Sequence, residues 1–158
     1  MPLVRTSTAP DPHGDYDLGT ALLHDDDVVA ALPYLERAAA QRADDCEALL
    51  YAAWARARAA DSAEGARGRR DAVKHARRVL AEGRASGLAL CVLGHSALER
   101  GDLRAARELF RRASVADASL VDARRQLLLV SRRIIEEADK STGVVAKLVM
   151  RVASAFRS

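Results

Sequence analysis

Residues 88–113, LALCVLGHSALERGDLRAARELFRRA, contain the spacing that decides the fold. A Leu-Gly pair is followed, twelve residues after the glycine, by an alanine, then by a large apolar residue and a small one. These residues are Leu93, Gly94, Ala106, Phe110 and Ala113. The spacing recurs near the start of the chain in Leu18, Gly19, Ala31, Leu35 and Ala38. It predicts two helices packed as a hairpin, closest to each other at the small residues.

The composition favours an all-α protein of modest size. The chain has 158 residues, enough for one domain or a short solenoid, and it is 49% hydrophobic but only 4% aromatic. Its apolar volume therefore comes from Ala, Leu and Val, and Ala is the strongest helix former. The net charge of +3 resides in the segment 141–158, which has three cations and no acid. The charge is thus no argument for a nucleic-acid partner.

Residue usage also suggests an origin and a compartment. Arginine outnumbers lysine 22 to 3 and asparagine is absent, from which we infer a GC-rich bacterial genome. The first 17 residues have no apolar run and do not resemble a signal peptide. No apolar stretch approaches the ~20 residues that a membrane span needs. We expect a cytoplasmic protein, in which Cys46 and Cys91 are reduced.

The repeated spacing resembles the pattern of the tetratricopeptide repeat (TPR) family, over about residues 14–138. The resemblance implies an all-α, right-handed α-solenoid of about three TPR helix hairpins and a non-catalytic role in protein binding. We place repeats at about 14–45, 46–85 and 86–119, and a capping helix at 120–138. Ala53-Trp54, Ala123, Leu127 to Arg133 and the basic tail further resemble TPR modules linked to J-domains or receiver-like domains in delta-proteobacterial proteins. The chain has no His-Pro-Asp signature, so no J-domain activity is implied.

Local signals predict three irregular segments. Residues 1–13 are expected to be disordered, because prolines and Gly14 break any helix, and helix one to begin at about Asp15. Residues 61–70 hold two glycines and predict a mobile turn insertion before a helix at about 71–82, in which Ala76 and Leu80 take the alanine and large apolar positions. Ser141-Thr142-Gly143 predicts a break between the capping helix and an amphipathic, basic C-terminal helix within 141–158.

No residue pattern indicates an enzyme, a cofactor or a metal site. The four histidines, His13, His24, His75 and His95, are expected to form no helical pair with one another or with a cysteine, and we interpret them as surface or groove residues. The acidic turn 25–27 lacks the ligand ladder of a calcium loop and predicts helix capping. The basic stretch 67–84 contains acids and no aromatic residue, so a nucleic-acid partner is disfavoured.

In the resembling family, the first helix of each repeat lines a concave groove. We therefore predict a partner-binding groove, for an unidentified peptide or helix, lined by Tyr16, Thr20, Leu23, Leu50, Trp54, Ala57, Arg58, Leu88, Cys91, His95, Leu98, Arg125, Leu129 and Arg132. Several of these side chains are large and apolar, and together they would form an exposed patch of the kind that marks a binding site. The alternative is that Trp54 and Leu98 turn inward to the core.

The tail offers a second surface, with one apolar face that contains Val145, Leu148, Val149, Val152 and Phe156. This face needs a receptor, and we predict docking into the groove of the same chain or of a neighbouring one; packing on the last repeat, self-association and an anionic membrane surface remain open. The leading hypothesis is a non-catalytic interaction module, a TPR adaptor or scaffold. The alternatives are an adaptor anchored to the inner membrane or a polar assembly through the tail, and a secretion-type chaperone.

Overall fold

A computed structural model describes residues 11–155, with the side chains of residue 12 and of residues 152–155 left aside. This part of the chain is all-α: it forms helices and no strand. The helices are α1 (Pro12–His24), α2 (Val28–Gln41), α3 (Cys46–Ala59), α4 (Ala63–Ala81), α5 (Gly87–Glu99), α6 (Leu103–Ala116) and α7 (Val121–Ala155). The all-α prediction is therefore confirmed.

Each helix packs against the next one along the chain, and the contact is most extensive within the pairs α1/α2, α3/α4 and α5/α6. The helix α3 also touches α1 and α5, so it has neighbours on several sides. This position explains why nine of its fourteen residues are buried. The core of the protein therefore lies around α3 and α5 rather than at either end.

Aspartate and serine side chains begin most of these helices, as the acidic turns predict. Asp27 accepts a hydrogen bond from the Ala30 amide (3.2 Å), and Asp45 accepts from the Glu47 amide (3.0 Å). Asp11 caps α1, whose first residue is Pro12. The prediction that proline delays α1 to residue 15 is wrong, because the missing N–H of proline costs nothing in the first turn. The rest of the expected disordered segment, residues 1–10, lies outside the described residues.

The two copies of the Leu-Gly spacing form matching contacts. A Cβ atom built on Gly19 would lie 2.7 Å from Cγ of Leu35, and one on Gly94 would lie 2.7 Å from Cε1 of Phe110. Both distances are too short for a real Cβ atom, so only glycine fits. The alanines of both copies are fully buried. The predicted close approach of the paired helices is confirmed.

Residues 63–70 are not a mobile insertion, because they form the first two turns of α4. Gly65 and Gly68 are buried against the end of α3. A Cβ atom on Gly65 would overlap the carbonyl oxygen of Ala60, and one on Gly68 would lie 2.8 Å from the Ala57 amide nitrogen. The glycines thus serve close packing here, where the sequence alone suggests a flexible turn.

The placement of the core positions of α4 also differs from the expectation. Ala76 is fully buried, as are Ala72 and Val79, whereas Leu80 is only partly buried. A helix that starts eight residues earlier than predicted carries its small residues along the whole contact with α3.

The predicted break at 141–143 is also wrong, since α7 is continuous from Val121 to Ala155. Within this helix the hydroxyl of Thr142 donates to the carbonyl oxygen of Ala138 (3.0 Å). One interior glycine costs a helix about 1 kcal/mol, and no proline follows it. That cost is too small to interrupt a helix flanked by Ala, Val, Leu and Lys.

We expect Gly65→Ala to lower the free energy of unfolding by about 1–3 kcal/mol, because the added methyl group overpacks a backbone contact. Urea denaturation followed by circular dichroism measures this change. An unaltered midpoint would contradict the close packing of α4 on α3.

The same substitution at Gly143 should have the opposite sign. No atom lies within 4 Å of a Cβ built there, so Gly143→Ala adds helix propensity, about 0.5–1 kcal/mol, without a clash. We expect slower amide hydrogen exchange in residues 136–150 of this variant. Faster exchange would indicate that the helix does break at this point.

Candidate functional site

Most of the large apolar residues of the predicted groove are buried. Leu23, Leu50, Trp54, Leu88 and Cys91 are all buried, with Trp54 only 6% exposed, and Ala57 is buried as well. The expected apolar patch therefore does not form from these side chains. The reason is that α3 and α5 lie in the centre of the protein, where neighbouring helices cover the faces that were expected to line the groove.

The other predicted groove residues are dispersed. Tyr16 is half-buried against Tyr51, with the guanidinium of Arg42 4.8 Å above its ring centre. The hydroxyl of Thr20 donates to the carbonyl oxygen of Asp17 within α1. Leu98 packs partly against the core. Leu129 and Arg132 are exposed on α7, where Arg132 pairs with Glu136 of the same helix.

Four predicted groove residues instead belong to a polar cluster that joins distant parts of the chain: Arg58, Cys91, His95 and Arg125. This inter-helix polar cluster consists of Asp26, Arg58, Cys91, His95, Asp122 and Arg125. Asp26, in the α1–α2 turn, binds Arg58 of α3 (2.6 Å) and Arg125 of α7 (3.0 Å). Arg125 also binds Asp122 (3.0 Å), whose second oxygen is hydrogen-bonded to Nε2 of His95 (2.8 Å).

A second set of hydrogen bonds connects the same elements beside this cluster. His24, at the end of α1, is hydrogen-bonded through Nε2 to the Tyr51 hydroxyl (3.1 Å) and through Nδ1 to the Ser119 hydroxyl (3.0 Å). Ser119 in turn donates to Asp117 (2.6 Å). The first hairpin is thus bonded to the α6–α7 turn and to the start of α7, 95 to 99 residues further along the chain.

Asp122 is the centre of the inter-helix polar cluster, and it is only 5% exposed. Burial by itself raises the pKa of this carboxyl group. The hydrogen bond with His95 and the positive charges of Arg58 and Arg125 outweigh that effect and hold the pKa well below its usual range. Asp122 is therefore a buried carboxylate with compensating partners, as a buried charge requires.

The thiol of Cys91 also contacts Asp122, with Sγ 3.7 Å from Oδ2. Burial and the neighbouring carboxylate raise the pKa of this thiol well above its ordinary value. A protonated, fully buried thiol is a hydrogen-bond donor and not a nucleophile.

Cys91, His95 and Asp122 are residue types that bind metals, and their ligand atoms lie within 4.8 Å of one another. The prediction that no histidine pairs with a cysteine is wrong, because His95 follows Cys91 by four residues and so shares its helix face. Asp122 had no comparable local signal. Two arginines already supply the positive charge that a divalent cation would bring, and we interpret the cluster as a connection between helices.

Most of the large exposed apolar side chains within the described residues lie on α7; Leu18, Val29 and Val115 are the exceptions on other helices. Along this helix the large apolar residues that are exposed are Val121, Leu128, Leu129, Ile135, Val144, Val145, Leu148, Val149 and Met150. The predicted docking of the tail into the groove of its own chain is wrong, since Val145, Leu148 and Val149 are each more than half exposed. Trp54 is buried without the tail. Of the other predicted tail residues, Phe156 and the side chain of Val152 lie outside the described residues.

The apolar face of the tail is a continuation of the face that packs inside the protein. At 100° per residue, Ala123, Leu127, Val130 and Ile134 lie on one side of α7. The first three are buried or partly buried against the core, and Ile134 is partly buried. The same side continues through the α7 stripe, which we define as Ile134, Ala138, Ser141, Val145 and Leu148. From residue 138 onward the stripe is exposed.

None of the helices within residues 11–155 has the length and apolarity needed to cross a bilayer. Comparison with models of known protein families gives no match, and comparison with curated protein sequences gives none either.

We expect Asp122→Asn to lower the free energy of unfolding at pH 7 by about 1.5–3 kcal/mol, the value of hydrogen bonds to a charged group. Because the pKa of Asp122 is lowered on folding, its contribution is complete above about pH 4 and is lost as the pH falls further. The difference between wild type and variant, measured by urea denaturation, should therefore narrow below about pH 4. Glu108→Gln, which removes an exposed ion pair, is the control and should change little. A constant difference from pH 7 to pH 3 would contradict this role of Asp122.

Proposed function

We propose that this protein is a non-catalytic interaction module of the TPR type, a right-handed solenoid of three helix hairpins extended by α7. The repeated Gly–Leu35 and Gly–Phe110 contacts support this architecture, because they occupy equivalent places in the first and third hairpins. The observation that carries the function is the exposed α7 stripe. Its partner would be a helix with a complementary apolar face.

The α7 stripe replaces the concave groove as the proposed binding surface. The buried state of Leu50 and Trp54 leaves the groove little apolar area to offer. The ion pairs of Asp26 with Arg58 and Arg125 further commit groove side chains to contacts within the chain. By contrast, the stripe and its flanking residues expose apolar side chains over five turns of one helix.

Helix recognition suits this surface because apolar residues recur at intervals of three and four. Burial of each large aliphatic side chain contributes about 1.5–3 kcal/mol before entropy costs are subtracted. The three most relevant side chains, Val145, Leu148 and Val149, are each more than half exposed. The free energy gained by burying them is therefore large enough to support specific binding.

A second candidate function is attachment to an anionic membrane surface, which the charges of the tail favour. Lys140, Lys147 and Arg151 lie on the polar sides of α7, and no acid occurs after Asp139. A basic amphipathic helix of this kind binds in the plane of the interface. The adaptor would then be peripheral to the inner membrane of a bacterial cell, with its body in the cytoplasm.

A pair of matched variants tests the proposed function. Leu148 lies within the α7 stripe, whereas Met150 lies on the opposite side of the helix and is equally apolar and exposed, at 73%. The tagged chain is used to capture proteins from the cell that produces it, and mass spectrometry quantifies them. We expect Leu148→Glu to abolish this capture and Met150→Glu to preserve it.

Equal capture by both variants would contradict the proposed surface. Sedimentation with phosphatidylglycerol vesicles distinguishes the membrane function from protein binding. If wild type and Met150→Glu bind the vesicles, and no captured protein depends on Leu148, the membrane function is favoured instead.

A further inference from the structure

The α7 stripe begins where the body of the protein ends. Val130 is buried and Ile134 is half-buried against the core, but Ala138, Ser141, Val145 and Leu148 have no cover. Beside Ile134 and Ala138 there is an open cleft between the α5–α6 turn and α7, which Gly101 and Leu103 also line. A helix that covers the stripe would therefore continue the packing of α6 on α7 and enter this cleft.

From residue 138 to residue 148 the stripe has two small side chains followed by two large ones, so it is complementary to itself when it is reversed. If two copies of α7 cross antiparallel with residue 143 at the centre, Ala138 lies opposite Leu148. Ser141 then lies opposite Val145. Each small residue thus meets a large one, which is the arrangement that a close-packed helix interface needs.

From this complementarity we propose that the partner of the α7 stripe is a second copy of this chain, paired antiparallel about a two-fold axis near residue 143. The inference rests on the proposed function, because it names the partner of the same surface. A two-fold axis uses each contact twice, and such dimers are the commonest homo-oligomers.

The residues that flank the stripe fit the same register. On one side Ile135, which is 62% exposed, comes opposite Val149 of the other copy, and Thr142 meets its own equivalent. On the other side Val144 meets its equivalent, and Glu137 comes opposite Arg151. Opposite charges at such flanking positions favour one orientation of a helix pair. The antiparallel pair therefore explains why Ile135 is exposed in the single chain. A membrane anchor formed only by the basic tail does not explain it.

A parallel pair is disfavoured by the same residues. Parallel helices in register would place Ala138 against Ala138 and Ser141 against Ser141, which leaves gaps at the centre of the interface. The core covers this side of α7 up to Ile134, so a parallel pair would also bring two protein bodies to the same end. In the antiparallel pair the bodies lie at opposite ends, and the segment 134–152, about 28 Å of helix, is shared.

Multi-angle light scattering of the full chain tests the proposal. We expect wild type and Met150→Glu to have twice the monomer mass of 17.0 kDa, and Leu148→Glu to be monomeric. Ala138→Leu should weaken the dimer at least tenfold, because it places a large residue opposite Leu148. The exchange Ala138→Leu with Leu148→Ala should restore the dimer to within about threefold of wild type.

Cysteine pairing tests the orientation, since both native cysteines are buried. We expect Ser141→Cys and Val145→Cys to form no disulfide alone but to form one when the two differently tagged variants are mixed. Disulfides in the separate variants would overturn the antiparallel register.

A wild-type chain that stays monomeric at 100 μM would overturn self-association altogether. If capture by the tagged chain still depends on Leu148 in that case, the proposed function stands and only the second copy fails. If capture does not depend on Leu148 either, both proposals fail.

Discussion

The close approach of helices at Gly19 and Gly94 is the constraint on which the rest of the structure depends. A Cβ atom at either position would meet Leu35 or Phe110 at 2.7 Å, so the helix axes of these two hairpins come together only because a glycine is present. The approach buries Leu35 and Phe110 completely, and α3 contacts helices of both hairpins. Enclosure of α3 follows, and with it the burial of Leu50 and Trp54. A tight core in the middle of the chain thus removes the apolar groove and leaves α7 as the helix with an exposed apolar face.

The hairpins could be predicted from the sequence because their signals are local and redundant. The distance from Gly94 to Phe110 is fixed by two helices and a short turn, and Asp102 caps the second helix of that hairpin. The segments at 61–70 and 141–143 could not be predicted in this way. Gly65 and Gly68 have low helix propensity, but a contact with α3, remote in sequence, determines their conformation. At Gly143 the local preference against helix is real but smaller than the combined preference of its neighbours.

The candidate site shows the same division between local and remote information. The pairing of Cys91 with His95 on one helix face is local information, since the two residues are four positions apart in the sequence. The bonds of Asp26 to Arg125 and of His24 to Ser119 join residues almost a hundred positions apart. No periodicity encodes such a bond, because it depends on how the three hairpins stack. The sequence did predict the basic, amphipathic character of the tail. The direction of its apolar face could not be predicted, because it depends on α7 being one continuous helix.

Continuity of α7 gives the exposed stripe its physical meaning. Had the helix broken at residue 143, the apolar residues of the tail would have been free to fold back on the body. Because the helix is continuous, the side of α7 that is buried at Val130 is the side that is exposed at Val145 and Leu148. The inter-helix polar cluster holds the start of this helix through Asp122 and Arg125, and packing against the core continues as far as Ile134. Contacts within the core thereby fix the direction of the exposed apolar surface of α7. The same contacts set the orientation of a helix that binds this surface.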